Sequence, residues 1–183
     1  MINAMHRSFA LALASMLALT PAQAQQYPGG SHAIAGPQGT LVINSGFVNN
    51  LNVHTFQVYS FLFKPKSKTG SWHQIPVLEG DDTNNLKFVI TTANTADFLL
   101  RDAKVSVSGQ KMLLHVAQKK YKDTPYDDDA TVEVRRYELQ QSPDEQRWIF
   151  RLTSVRDAGT KATVEQALHL IPTPPRAGTT RPK

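Results

Sequence analysis

The sequence predicts a mainly β fold: a single-domain antiparallel β-sandwich or strongly curved sheet with one C-terminal helix. Short runs of β-branched and aromatic residues recur from Thr40 onward, separated by clusters of Gly, Pro, Asn and Asp. Two of those clusters, Ser108-Gly109-Gln110 and Ser142-Pro143-Asp144-Glu145, separate apolar runs at hairpin spacing. Only one segment, after Thr163, repeats its apolar residues at helical intervals.

The first expected strand, Thr40 to Ile43, is a β-branched run closed by Asn44, Ser45 and Gly46. His54 to Phe63 alternates, with Phe56, Val58, Ser60 and Leu62 on one face and Thr55, Gln57, Tyr59, Phe61 and Phe63 on the other. Large apolar side chains on both faces predict a central strand packed on each side. Lys64 to Gly70 reads as a basic, solvated loop. Trp72 to Leu78 reads as a short strand that Pro76, having no N–H to give a ladder, pushes to an edge or a bulge.

Glu79 to Asn85 is a turn cluster, and Leu86 to Thr92 a strand with Leu86, Phe88 and Ile90 on one face. Phe98 to Val107 and Lys111 to Ala117 flank the first hairpin turn; Thr131 to Leu139 and Arg147 to Val155 flank the second. Val132, Val134 and Tyr137 stand among Glu133, Arg135, Arg136 and Glu138, so one face of that strand should meet solvent. Thr163 is the expected N-cap, with Gln166 at the capping-box position. Val164, Ala167, Leu168 and Ile171 form the helix's buried stripe, and Pro172 stops it.

Outside this β-rich domain of residues 40–171 the composition changes. Residues 1–24 read as a signal peptide: Arg7, an apolar run from Phe9 to Leu19, a break at Thr20 and Pro21, then Ala22-Gln23-Ala24 with small residues at −3 and −1 of the cut. The run is short of the about 20 residues that a membrane anchor needs. Cleavage is expected after Ala24, and the address is the periplasm or the exterior. Residues 25–39, rich in Gly, Pro, Ser and Gln, are expected as a flexible lead-in, and residues 172–183 as a disordered, basic, Pro-rich tail.

The formal charge is +5 and the pI near 9.5, but Arg7 belongs to the leader and Arg176, Arg181 and Lys183 to the tail. The folded body is therefore near neutral, and nucleic acid is not an expected partner. The absence of cysteine excludes disulfides and a lipoprotein signal, so the core alone must supply stability.

No chemistry-bearing motif stands out. His32, His54, His73, His115 and His169 form no HxH, HxxxH or HExxH pair, so no metal or cofactor is expected. Asp127, Asp128 and Asp129 alternate in direction and read as a solvated loop, not a calcium site. Neither a GxSxG elbow nor an SxxK motif is present. Five-residue spacing in a strand puts Asp97 and Asp102 on opposite faces, which argues against an acid pair. An aromatic and amide cluster of Asn49, Asn50, Asn52, His54, Phe56, Tyr59 and Trp72 could serve a small polar ligand or be core packing with a polar rim. His54 and Asp97 open two strong strands and could meet at one end of the sheet, as a ligand-reading pair or as a structural tie.

Read in order, several fragments resemble the CarG-type family of carbapenem self-resistance proteins. They are Asn52-Val53-His54-Thr55-Phe56-Gln57-Val58-Tyr59, Trp72-His73-Gln74-Ile75-Pro76, Ala96-Asp97-Phe98-Leu99-Leu100-Arg101-Asp102, the acidic loop from Tyr121 to Val132, and the helix from Thr163 to Leu170. The family's Asp-rich opening is replaced by residues 43–50, and its two cysteines by Phe98 and by Ala162 or Thr163.

The resemblance implies an exported protein that protects against a carbapenem-type β-lactam without hydrolysing it. Asn52, His54, Tyr59, Trp72, Asp97 and Asp102 are the candidate ligand-binding residues, and no residue is assigned to catalysis. A small-molecule ligand or a periplasmic envelope protein is the expected partner; a homo-oligomer is also open, and no membrane span is expected. The alternative is an accessory subunit of a cell-envelope or secretion assembly that docks through an exposed β edge. A hydrolase is the third and least favoured reading.

Overall fold

The computed structural model describes residues 25–51, 55–67, 70–80, 82, 85–142 and 146–174. In chain order these form β1 (Gly30–Ala35), β2 (Gly39–Val48), β3 (Phe56–Pro65), β4 (His73–Gln74), β5 (Val77–Leu78), β6 (Leu86–Lys87), β7 (Val89–Thr91) and β8 (Ala93–Asn94). β9 (Leu99–Ser108), β10 (Lys111–Lys120), β11 (Thr131–Gln141), β12 (Trp148–Asp157) and α1 (Val164–His169) complete the series. β1, β2, β3 and β4, with β7 also on β3, make a five-stranded antiparallel sheet; the other sheet runs β6-β5-β12-β11-β10-β9-β8. The second sheet is mixed, because β5 lies parallel to β12, and it curls into a half-barrel. The expected β-rich domain with one helix is what forms.

The main core lies between the sheets. Leu41 and Ile43 of β2 and Tyr59, Phe61 and Phe63 of β3 meet Val105, Met112, Leu114, Tyr137, Leu139 and Phe150 of the half-barrel. Phe61 packs edge-on against Phe150 and Phe63 tilts against Trp148, at ring separations of 5.4 and 4.7 Å. β3 is central in its sheet, between β2 on one side and β4 and β7 on the other. Only one of its faces is fully covered, however: Gln57, Tyr59, Phe61 and Phe63 are buried, whereas Phe56, Val58, Ser60 and Leu62 are half-buried.

Two expected strands are each divided between the sheets. Residues 73–78 pair first with β3, as β4, and then with β12, as β5. The change of sheet falls at Ile75 and Pro76, where a residue without N–H costs the ladder nothing. There the Ile75 amide donates to the Phe61 carbonyl, and the Pro76 carbonyl accepts from the Phe150 amide, both at 2.9 Å. Residues 86–94 repeat the manoeuvre, since β6 pairs with β5, β7 with β3, and β8 with β9. That weaving breaks the anticipated alternation, leaving Ile90 buried and Phe88 51% exposed.

The stretch 25–39, expected as a flexible lead-in, contains a full edge strand instead. β1 pairs with β2 from Gly30↔Ser45 to Ala35↔Thr40, with Ile34 buried. The hairpin returns through Gly39, where a Cβ would collide with the Lys64 carbonyl oxygen and the Phe63 ring. One large apolar residue in a polar segment is too weak a periodic signal to announce a strand, so the pairing with β2 supplies what composition lacks. β2 itself continues to Val48, past the Asn44-Ser45-Gly46 stop.

The hairpin at Gly109 forms as expected, with Ser108 opposite Lys111 and Gly109 at φ +55. In the β11–β12 hairpin the register shifts between Arg136 and Tyr137. That bulge resolves the odd spacing of Val132, Val134 and Tyr137. Val132 and Val134 lie under α1, whereas Tyr137 and Leu139 enter the main core. α1 carries the expected capping box: the Gln166 amide donates to Thr163 Oγ1 at 3.1 Å and the Thr163 amide to Gln166 Oε1 at 3.0 Å. Val164, Ala167 and Leu168, with Ile171 just beyond the helix, form a second core with Leu99, Ala117, Val132 and Val134. At its far end the buried Lys104 donates to the carbonyls of Leu168 and Ile171, at 3.2 and 2.5 Å. No helix among the described residues is long and apolar enough to cross a membrane.

Candidate functional site

β9 has β10 along one side and only the short β8 near the start of the other. Residues 26 and 27 cover part of the remaining edge. The Val105 amide donates to Tyr27 Oη at 2.8 Å, and the Gln26 amide donates to Asp102 Oδ2 at 3.0 Å. Asp102 Oδ1 accepts from the Tyr59 hydroxyl at 2.9 Å and from the Ala103 amide at 2.7 Å. The Tyr59 ring meets the Tyr27 ring edge-on at 5.5 Å. Gln57 completes the group: its Oε1 lies 3.2 Å from both the Tyr59 and Ser45 hydroxyls, and its backbone N–H donates to Thr92 Oγ1 at 2.8 Å.

The centre of this polar network is closed off from water, with Tyr59 and Asp102 fully buried, while Gln26 and Tyr27 at its margin are half-buried. Burial pushes the Asp102 carboxyl up to about 6, against the opposing pull of the Gln26, Ala103 and Tyr59 donors. Burial and the neighbouring Asp102 charge raise the Tyr59 phenol as well, and Tyr27 is pushed up to about 12, mainly by burial. Tyr59 has one proton and two acceptors. With Asp102 ionised, its hydroxyl donates to the carboxylate; with Asp102 protonated, the acid can donate to Tyr59 and Tyr59 to Gln57 Oε1. The network can thus accommodate a proton without losing its connections.

Of the six residues singled out from the sequence, the fold brings Tyr59 and Asp102 together. Trp72, half exposed, lies instead near Lys64, whose ammonium is 6.0 Å from the indole ring. Lys64 and Tyr59 are five positions apart on β3, about 16 Å along the strand. Asp97 sits in a surface turn and accepts from the Tyr126 hydroxyl at 2.6 Å. Asn52 and His54 lie outside the described residues, and with them the expected His54–Asp97 pair. The acidic loop closes on itself, because Asp127 accepts from the Asp123 and Thr124 amides and from Thr124 Oγ1. Among the described residues no group of three or more His, Asp or Glu is placed to hold a metal ion.

A surface cleft of about 220 Å³ adjoins the network. Thr91, Thr92 and Ala93 form one wall, Leu100 and Arg101 of β9 the floor, and Gln118, Lys119 and Tyr121 the other wall. Arg101 is half-buried; its Nε is fully buried and has no hydrogen-bond partner among the described residues. Lys119 Nζ stands 4.4 Å from the Phe98 ring centroid, and that ring meets Tyr126 edge-on. Sequence reasoning missed both the cleft and most of the network. The available signals were Gln57, a polar residue on the core-facing parity of β3, and Arg101, a cation flanked by Leu100 and the buried Asp102.

Fold and cleft together define a small β half-barrel domain closed by a second sheet and a capped helix. No family model matches the chain, and no curated protein matches it either. Among solved structures, the crystal structure of CarG is similar, with a TM-score of 0.60 and 17% sequence identity, over 80% of this chain and 93% of that one. The fold is CarG-like, and the likeness is one of fold.

Proposed function

We propose that the chain is an exported, non-enzymatic protein that lessens carbapenem damage in the periplasm by binding a small-molecule ligand or a periplasmic partner. The observation that carries this reading is the CarG-like fold over 93% of the CarG chain, reached independently of the collinear motifs from Asn52 to Leu170. The leader read in residues 1–24 supports export, and cleavage after Ala24 would start the processed chain one residue before Gln26, whose amide holds Asp102. The test is the inhibitory threshold of a carbapenem in a sensitive host that exports the chain. An unchanged threshold, with the protein confirmed in the periplasm, counts against the reading.

A second reading is an accessory subunit of an envelope assembly. It is favoured by β1, an edge strand paired only with β2 among the described residues, which offers one side to strand addition. Co-purification of a stoichiometric envelope protein from the native host would favour it over the first.

A further inference from the structure

We infer that the cleft between the β7–β8 segment and the end of β10 binds a small organic carboxylate, with Arg101 and Lys119 supplying the charge. The inference rests on the ligand-binding branch of the proposed function and names the ligand's chemistry and its place.

Charge is the first argument. Two cations line the cleft and no acid does. Neither Arg101 nor Lys119 has a carboxylate partner among the described residues, whereas Lys87, Lys111, Lys120 and Arg135 all do. The acids closest to Arg101 in sequence are already engaged, Asp102 inside the network and Asp97 with Tyr126. Arg101, and Lys119 beside the Phe98 ring, put two positive charges on one small concave surface, which attracts an anion.

Geometry favours a carboxylate among anions. A guanidinium presents parallel N–H groups in one plane, a fork that matches two carboxylate oxygens. A partnerless buried N–H is rare enough in folded proteins to call for a reason, and Arg101 Nε is one. Arg101 lines the cleft, and a carboxylate bound there is the partner we assign to its Nε. Gln118 stands directly opposite Arg101 in the β9–β10 register and can add an amide donor. Leu100 and Tyr121 add apolar surface to the lining, which suits the body of an organic acid better than an inorganic ion. A volume of about 220 Å³ suits a body the size of a small ring system.

The experiment is calorimetric titration of the processed, exported protein with four probes: benzoate, a carbapenem, the methyl ester of that carbapenem, and inorganic phosphate. Benzoate and the carbapenem are expected to bind, with the ester and phosphate weaker by about tenfold or more, as loss of a charge-assisted fork dictates. Arg101→Gln should reduce carboxylate affinity to the level of the ester. Lys119→Gln, at the rim, should weaken binding by a few-fold and flatten its salt dependence. Melting curves of both variants separate lost binding from lost fold, and Lys119→Gln keeps the test decisive if Arg101→Gln unfolds. Equal affinity for acid and ester, tighter binding of phosphate, or parent-like binding in the folded variants overturns the inference. Benzoate binding without carbapenem binding upholds the cleft and removes the carbapenem as its ligand. Binding of no carboxylate overturns the cleft and leaves host protection to stand on its own measurement.

Discussion

The Tyr59 hydroxyl, on the five-stranded sheet, donates to Asp102 Oδ1, on the half-barrel, across 2.9 Å, and neither residue is exposed to solvent. The pair ties the two sheets at the point where the chain's first described residues run along β9. Tyr59→Phe keeps the ring in its core position and removes one donor from a buried acid. A loss of about 1–3 kcal/mol is expected, read from the denaturant midpoint. Asp102→Asn should cost at least as much, because one amide oxygen cannot accept from both the Gln26 and the Ala103 amides, which bond to different carboxylate oxygens. Parent-like midpoints for both would show that the tie contributes nothing.

A second expectation concerns pH. Asp102 has its folded value raised to about 6 from 3.8, so the stability it contributes is fully present below about pH 4 and is lost as pH rises through 6. His115 runs the other way. Burial first, then the charges of Arg136, Arg156 and Lys104, lower it to about 4 from 6.5, so its contribution is present above about 6.5 and lost as pH falls through 4. Asp102 carries about 3 kcal/mol, and His115 about 2 once solvent on its open side is allowed for. Between pH 4 and 6 the two largely cancel, and the parent's stability should be nearly flat there. Asp102→Asn should expose the His115 loss on acidification, whereas His115→Gln should make the protein more stable as pH falls from 6 to 4. The same slope in parent and both variants, measured by denaturant melts at several pH values, would contradict this account.

Much of the fold was legible because its strongest elements obey local rules. The Gly109 turn, the Thr163–Gln166 capping box and the alternation around Tyr59, Phe61 and Phe63 can each be read within ten residues. What escaped depends on distant partners. Residues 30–35 are a strand because β2 offers them an edge, and residues 73–78 and 86–94 change sheets because the half-barrel must be closed. The candidate site was half legible. Tyr59 and Asp102 stand 43 positions apart and were both singled out, but nothing local shows that they touch, or that Tyr27 and Gln26 arrive from the supposed lead-in.

Lys104 stabilises the end of α1. Its ammonium meets the carbonyl of Ile171 and that of Leu168, which also accepts from the Ile171 amide at 3.2 Å, at an end where a cation suits the helix dipole. Burial lowers its pKa, so part of the gain is offset by desolvation. Lys104→Met, which keeps the apolar stem, should cost about 1–2 kcal/mol and speed amide exchange over residues 164–171 more than in β2 or β3. A stabilised variant, or exchange unchanged in α1, would show that packing alone holds the helix.

Tyr27 should govern the exposed side of β9. In Tyr27→Phe the Val105 amide loses its acceptor while the ring contact with Tyr59 is kept. Exchange of that amide should accelerate by about tenfold, as expected if removing the hydrogen bond lowers the local opening free energy by about 1.4 kcal/mol. Unaltered protection at Val105 would mean that the first described segment does not clamp the edge.

The most direct test of the protective reading follows two quantities in one culture: the carbapenem concentration that inhibits a sensitive host exporting the chain, and the amount of intact drug left in the medium. The account predicts a raised threshold, lost when residues 2–24 are deleted, with the drug surviving as long as in cultures lacking the protein. An unchanged threshold with the protein confirmed in the periplasm would contradict protection, and a raised threshold with accelerated loss of drug would contradict its non-hydrolytic nature.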